Sequence, residues 1–223
     1  MPNNDREKII QKIQNALKIQ PEKLPTQPNF TAEIYTDSPE MDLAVIFAQN
    51  FTAMQGKFCF CGDEQDFIDN LEKLLREKQT KEVVVWEKPL QEIFDVAQIP
   101  YKGNDTDFMA ADIGITTCEA LVARTGSLIV SSNTTSGRRL SIYPNIHVVV
   151  AFTSQLIYDL QTALEQIKLK YKYLPSMLSV TTGPSRTADI EKTLVLGAHG
   201  PKELYVFLID DFVEQEEVIE VGS

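Results

Sequence analysis

The sequence predicts a three-layer α/β domain built on a mainly parallel sheet, and three observations carry that expectation. From about residue 42 onward, amphipathic helical segments alternate with short apolar runs. Those runs, such as V-V-V-W, V-V-V-A-F and Y-V-F-L-I, are apolar at every position, as strands covered on both faces must be. With 223 residues, 43% of them hydrophobic, the chain has enough apolar material for one substantial core.

Residues 5–17 place Ile9, Ile10, Ile13, Ala16 and Leu17 at helical spacing, with Asn4 or Asp5 as N-cap. Pro21, Pro25 and Pro28 then stop helix continuation, so residues 1–30 read as a helical arm and linker. Residues 31–211 form the α/β domain. Its first strand is K-F-C-F-C, followed by a helix over 66–78 with Phe67, Leu71, Leu74 and Leu75 on one face, then the strand E-V-V-V-W. E-A-L-V-A-R, opening at Glu119, suits a helix. S-L-I-V-S and H-V-V-V-A-F are strands, and residues 154–168 form a helix with Ile157, Leu160, Leu164 and Ile167 aligned. M-L-S-V-T and L-Y-V-F-L-I complete the strands. The acidic tail, 212–223, has too little apolar surface to specify order.

Composition narrows the function. Acidic residues outnumber basic ones 32 to 21, giving a net charge of -11 and opposing any general nucleic-acid role. The opening M-P-N-N-D-R-E-K-I-I-Q-K-I lacks the apolar core of a signal peptide, and no apolar run approaches the roughly 18 residues of a membrane span, so a cytoplasmic protein is expected. Cys59 and Cys61 alternate on one face of a strand and Cys118 is remote, all three reading as small buried hydrophobes. An iron-sulfur cluster normally takes four thiolates, and only His147 and His199 supplement the cysteines. No cluster and no metal site is expected in this chain, and the cofactor is unknown. Redox chemistry would come from a partner or a bound organic cofactor.

Ligands of parallel α/β sheets sit beyond the carboxyl ends of the strands. Four loops qualify: G-I-T-T-C-E-A, S-S-N-T-T-S-G-R-R, T-T-G-P-S-R-T-A-D-I-E and A-H-G-P. In the third, a short helix starting near Thr187 would point backbone N–H groups and the Ser185 and Thr187 hydroxyls at a phosphate or carboxylate, or those residues serve only as helix caps. Arg138 and Arg139 could clamp an anion bidentately, or stand as solvated charges. Glu119 suits a base, a nucleophile or a helix-dipole partner, while His147 and His199 suit proton carriers or structural hydrogen bonders. The sharpest expectation is a single anion site: Gly183 and Pro184 turn the chain at the carboxyl end of the strand ending near Thr182, so that Ser185, Thr187 and Asp189 face the same cleft as Arg139, Glu119 and His199, with Thr182, Arg138 and Gly200 among the ligand-binding residues. Neither G-x-G-x-x-G nor a Walker A loop occurs.

Taken together, G-I-T-T-C-E-A-L-V-A-R-T-G-S-L-I-V, G-R-R-L-S-I-Y-P-N-I-H-V-V-V and T-G-P-S-R-T-A-D-I-E-K-T-L-V-L-G-A-H-G-P-K-E-L-Y-V-F-L-I resemble the lactate-utilisation protein C family, the LutC-type LUD domain. The resemblance covers residues 112–209 closely. Arg124 departs from it, standing where an acidic or similar residue often precedes the T-G pair. It implies a Rossmann-like α/β/α sandwich of the NagB/RpiA/CoA-transferase type. It also implies a part in oxidising L-lactate to pyruvate beside iron-sulfur subunits, as an accessory or ligand-binding subunit for a small anion. The alternative it leaves is a stand-alone enzyme of the CoA-transferase or phosphosugar-isomerase type, with Glu119 and His199 catalytic.

Overall fold

The structure, a computed structural model, describes residues 8–12, 14–15, 41–103, 108–136, 138–187, 195–197 and 199–211. The chain divides into two units, Met1–Ser38 and Pro39–Ser223. In the first, residues 8–12 and 14–15 are helical; the proline linker and the acidic tail lie outside the described residues.

The second unit runs α1 (Leu43–Ala53), β1 (Lys57–Cys61), α2 (Glu64–Glu77), β2 (Val83–Val85), α3 (Lys88–Val96), β3 (Ile113–Thr117), β4 (Ala120–Val122), β5 (Ser127–Ser131), β6 (Ile146–Phe152), β7 (Leu156–Ile157), α4 (Leu160–Lys170), β8 (Leu178–Thr181), β9 (Arg186–Thr187), β10 (Val195–Leu196) and β11 (Glu203–Ile209). Five strands form a sheet in the order β1-β11-β6-β3-β2. Every neighbouring pair in it is parallel, with Val148 of β6 facing Tyr205 on one side and Ile115 on the other. The expected mainly parallel α/β sheet is therefore present.

Period-two alternation divides the core between the two faces of that sheet. Ile113, Ile115, Val148, Val150, Phe207 and Ile209 meet Phe67, Leu71 and Leu74 of α2 and Leu90 and Phe94 of α3. On the other face Val149, Ala151, Val206 and Leu208 meet Phe47 and Phe51 of α1 together with Leu121, Leu128 and Val130. Those last three belong to a second sheet, β7-β4-β5-β8, that the sequence pattern did not separate from the first. S-L-I-V-S and M-L-S-V-T pair antiparallel within it. Both read as buried parallel strands because the second sheet is also covered on two sides, its far face packing Ala120, Val122 and Ile129 against Ala163 and Ile167 of α4.

Three boundaries differ from expectation. E-A-L-V-A-R is not a helix: Ala120, Leu121 and Val122 are buried and pair with Ile129, Leu128 and Ser127, so tertiary pairing overrides helix propensity. The hairpin turns at Gly126, which has φ +60°, and a Cβ there would lie 2.3 Å from the Phe51 amide nitrogen. The helix expected from residue 154 begins at Leu160, where the Asp159 carboxylate accepts from the Thr162 N–H at 2.9 Å; Leu156 and Ile157 instead join β4 as a parallel strand. Thr187, near which a helix was expected to start, pairs with Val195 in a short antiparallel ladder, and residues 188–194 lie outside the described residues. Asp42 and Asp63 cap α1 and α2 as Asp159 caps α4.

Candidate functional site

The carboxyl ends of β2 and β3 deliver Trp86, Glu87, Cys118 and Glu119, and the end of β5 brings Ser131 beside them. Residues 132–145 then cross from this edge to the start of β6, with Leu140 wholly buried against Val84 and Trp86. Glu87 fastens that crossing. One carboxylate oxygen accepts from the Ser136 hydroxyl, and the other accepts from the Thr117 N–H at 3.1 Å and its hydroxyl. Pro89 stands in the first turn of α3, and Glu87, the N-cap residue, makes no side-chain capping bond there.

Glu119 is anchored from four directions. Its N–H donates to Ile129 O at 2.7 Å, while its carboxylate accepts from Ser131 Oγ at 2.5 Å, Tyr171 Oη at 2.8 Å and Lys170 Nζ at 2.7 Å. Only 2% of the side chain is exposed. Burial pushes its pKa up, but the hydrogen bonds from Lys170, Ser131 and Tyr171 outweigh it and hold the carboxyl below its ordinary range. Glu119 is a fixed, neutralised anion and not a helix-dipole partner, because no helix begins there.

Over this layer opens a cleft of about 300 Å³, walled by Trp86, Ser132, Thr134, Thr135, Arg138 and Arg139. Arg138 donates to Ser176 Oγ, and Arg139 lies over the Phe108 ring at 5.4 Å. Phe108 in turn meets the Trp86 indole edge-on at 5.6 Å. Trp86 Nε1 is buried and has no hydrogen-bond partner among the described residues. The arrangement offers two guanidinium groups, three hydroxyls and an apolar aromatic wall, which suits a small carboxylate or phosphate. A larger groove of about 710 Å³ between α2 and residues 98–102 offers less chemistry, since its Arg76 and Lys102 are paired with Glu72 and Glu82.

The remaining predicted residues lie at the opposite edge. Thr182 Oγ1 meets Ser127 Oγ at 2.6 Å, where β5 begins. Gly183 has φ +79°, and a Cβ on it would lie 2.3 Å from Met54 O, at the end of α1 and ahead of β1. The glycine does permit a close backbone approach, but to Met54. The Ser185 N–H donates to Pro201 O at 2.9 Å and Ser185 O accepts from the Gly197 N–H at 3.0 Å. A Cβ on Gly200 would lie 3.0 Å from Ser185 Cβ, and His199 is exposed just ahead of β11. Thr187 sits in the adjoining ladder, and Asp189 lies outside the described residues. Five-residue β3 alone separates the edges by roughly 13 Å at about 3.3 Å rise per residue.

The expected single cleft is therefore two places. Glu119, Arg138 and Arg139 gather at the carboxyl edge; Thr182, Gly183, Ser185, Thr187, Gly200 and His199 gather at the amino edge. β8, which leads into the T-T-G-P loop, belongs to the second sheet and runs antiparallel to β5, so its carboxyl end points the other way. His147, also at the amino edge, is buried against Thr116 Oγ1 at 2.9 Å, and burial drives its pKa down to about 3, which suits a structural hydrogen bonder. Sequence reasoning did not single out Trp86, Glu87, Ser131, Ser136, Lys170 or Tyr171. The W-E-K-P junction, where strand composition gives way to a helix-starting proline, was the available signal for the first two.

An α/β domain with a parallel sheet and a polar, arginine-bearing cleft beyond its strand ends is a ligand-site architecture. The profile of the LUD domain family matches residues 45–209, and the chain belongs to that family. It is 36% identical over 102 residues to an uncharacterized protein of Neisseria meningitidis serogroup B, covering 46% of this chain and 44% of that one. Lactate utilization protein C of Halalkalibacterium halodurans is 28% identical over 167 residues, 66% of this chain and 73% of its own. Its Bacillus subtilis counterpart is 32% identical over 104 residues, 45% and 43% of the two chains. With two of these three the match thus spans less than half of the relative's length. The fold is shared with a crystal structure of a DUF162 family protein from Deinococcus radiodurans, at TM-score 0.56 and 17% identity, over 75% of this chain and 96% of that one. No helix among the described residues is long and apolar enough to cross a membrane.

Proposed function

We propose that this chain serves L-lactate utilisation in the cytoplasm as a ligand-binding accessory subunit, with iron-sulfur partner subunits performing the electron transfer. The observation that carries the proposal is the cleft beside Trp86, where Arg138 and Arg139 face a rim of hydroxyls in a protein of net charge -11. Local positive charge in an acidic chain selects a small anion, and paired guanidinium groups fit a carboxylate bidentately. The names of the relatives supply the pathway, and three cysteines supply the reason to assign clusters to partners.

Within this scheme Glu119 positions and does not react. Both of its oxygens are already engaged, so a nucleophilic role would first require breaking contacts to Ser131, Tyr171 and Lys170. That counts against the stand-alone CoA-transferase or isomerase reading, in which Glu119 and His199 would act on one substrate from opposite edges.

Isothermal titration of the purified protein with L-lactate and with pyruvate tests the cleft. Arg138→Ala or Arg139→Ala should weaken binding by about 1.5–3 kcal/mol, the range for hydrogen bonds to charged groups. Equal affinity in both variants and the parent would remove the cleft from the proposal. Disruption of the gene should abolish growth on L-lactate, with restoration by the parent and not by the double arginine variant. Unimpaired growth would overturn the pathway assignment.

A further inference from the structure

Trp86 follows β2 directly and walls the cleft beside Arg138 and Arg139. Only 7% of it is exposed. Its ring packs against Val84, Ala111 and Leu140, and Phe108 meets it edge-on at 5.6 Å, so apolar side chains fix its position. Nε1 is nevertheless buried and finds no acceptor among the described residues. Buried donors in native proteins are nearly always bonded, because an unmet one is costly. An apolar wall alone could be made by phenylalanine, without an idle N–H.

We propose that the Trp86 indole N–H is the specificity-determining donor of this cleft, meeting an oxygen at C2 of a short carboxylic acid whose carboxylate the arginines hold. The inference rests on the anion cleft proposed above and narrows its ligand from small anions in general to 2-oxo and 2-hydroxy acids. Guanidinium groups recognise the carboxylate that all such acids share, so they do not read the C2 position. An indole is uncharged and donates only, so it rewards a neutral oxygen and offers nothing to a methylene. A site with such a donor rejects the analogue lacking the oxygen, because its own polar group is then left unpaired. Shielded from bulk water, the N–H also gives up no solvent partner when a ligand oxygen reaches it. The ring is already held by Phe108 and Leu140, so little ordering is needed on binding. A cleft of about 300 Å³ lies at the small end of ligand pockets, in keeping with an acid of a few heavy atoms.

Trp86 is the chain's single tryptophan, so biosynthetic replacement of tryptophan by its benzothienyl analogue, with sulfur in place of the N–H, removes this one donor and keeps the ring. Parent and replaced protein are titrated calorimetrically with pyruvate, L-lactate and propionate. The parent should prefer the first two over propionate by roughly 2- to 12-fold, equivalent to about 0.5–1.5 kcal/mol for one hydrogen bond. The replaced protein should lose that preference and bind propionate as the parent does. Without ligand its melting temperature should match the parent's, since nothing holds the N–H there. A drop of roughly 2–4 °C, the worth of one hydrogen bond in a chain this size, would reveal a structural partner and overturn the inference. So would a preference that survives the replacement. Equal binding of all three acids by the parent would overturn it while leaving the anion cleft standing. Binding of none of them would remove the cleft itself, and the inference with it.

Discussion

The two edges of the parallel sheet carry the same kinds of residue and use them differently. At the carboxyl edge, side chains meet side chains: Glu119 gathers Ser131, Lys170 and Tyr171, and Glu87 gathers Thr117 and Ser136. At the amino edge the T-T-G-P loop is held largely through its backbone: Ser185 bonds Pro201 and Gly197 through its peptide groups, and Gly183 lies against the Met54 carbonyl, with the Thr182 hydroxyl meeting that of Ser127. The first pattern builds a charged wall beneath an open cleft. The second clamps the chain so that β11 can enter the sheet between β1 and β6. Serine, threonine, glycine and arginine therefore mark a site only when the strand direction brings their side chains, and not merely their peptides, to the same place.

The largest break in that contrast is expected at the amino edge. Gly183→Ala forces a left-handed residue onto a Cβ with 2.3 Å to the Met54 oxygen, and about 3 kcal/mol should be lost. Thermal unfolding should show this as a drop of roughly 6–12 °C at ~2–4 °C per kcal/mol. A drop below ~2 °C would mean that α1 yields easily and the clamp is soft.

Glu119→Gln comes next. It keeps the shape but removes the charge, at a cost of about 2 kcal/mol for charge-assisted hydrogen bonds, since Lys170 is itself half-exposed. The depressed Glu119 pKa contributes stability that is present above its unfolded value of about 4.3 and lost as pH falls through the folded value. Urea midpoints measured between neutral pH and pH 3 should thus converge for parent and variant.

His147 acts over a different window. Its folded pKa of about 3 lies below the ordinary 6.5, so the unfolded chain binds the proton first as pH falls. Stability from this group is full above 6.5 and declines by about 1.4 kcal/mol per pH unit from there toward 3. His147→Gln should abolish that slope whatever its absolute stability. An unchanged slope between pH 6.5 and 5 would show that His147 is not its source.

The smallest stability effect is expected for Arg138→Ala, an exposed loop residue: under about 0.5 kcal/mol by chemical denaturation, beside the loss of anion binding. A larger loss would place Arg138 with the structural groups of its edge, leaving the cleft with one arginine.

Much of this was legible in the chain itself. The alternation of V-V-V and V-V-V-A-F with amphipathic helices determined a parallel sheet covered on both faces, because a strand without a polar position cannot face water. The helical faces of Phe67, Leu71 and Leu74 and of Leu160, Leu164 and Ile167 were legible as α2 and α4, while their starts were not read from the Asp63 and Asp159 caps, being expected at residues 66 and 154. The arginine pair was visible as the densest positive charge in an acidic protein. What the tertiary structure alone decided was where each loop points. E-A-L-V-A-R became a strand through partners such as Ile129 and Leu156, and its antiparallel turn sent β8, and with it the T-T-G-P loop, to the amino edge. Local sequence sets periodicity and capping through contacts a few residues apart. The direction of a strand is set by partners distant in sequence, and that direction separated Gly183 and His199 from Glu119 and Arg139.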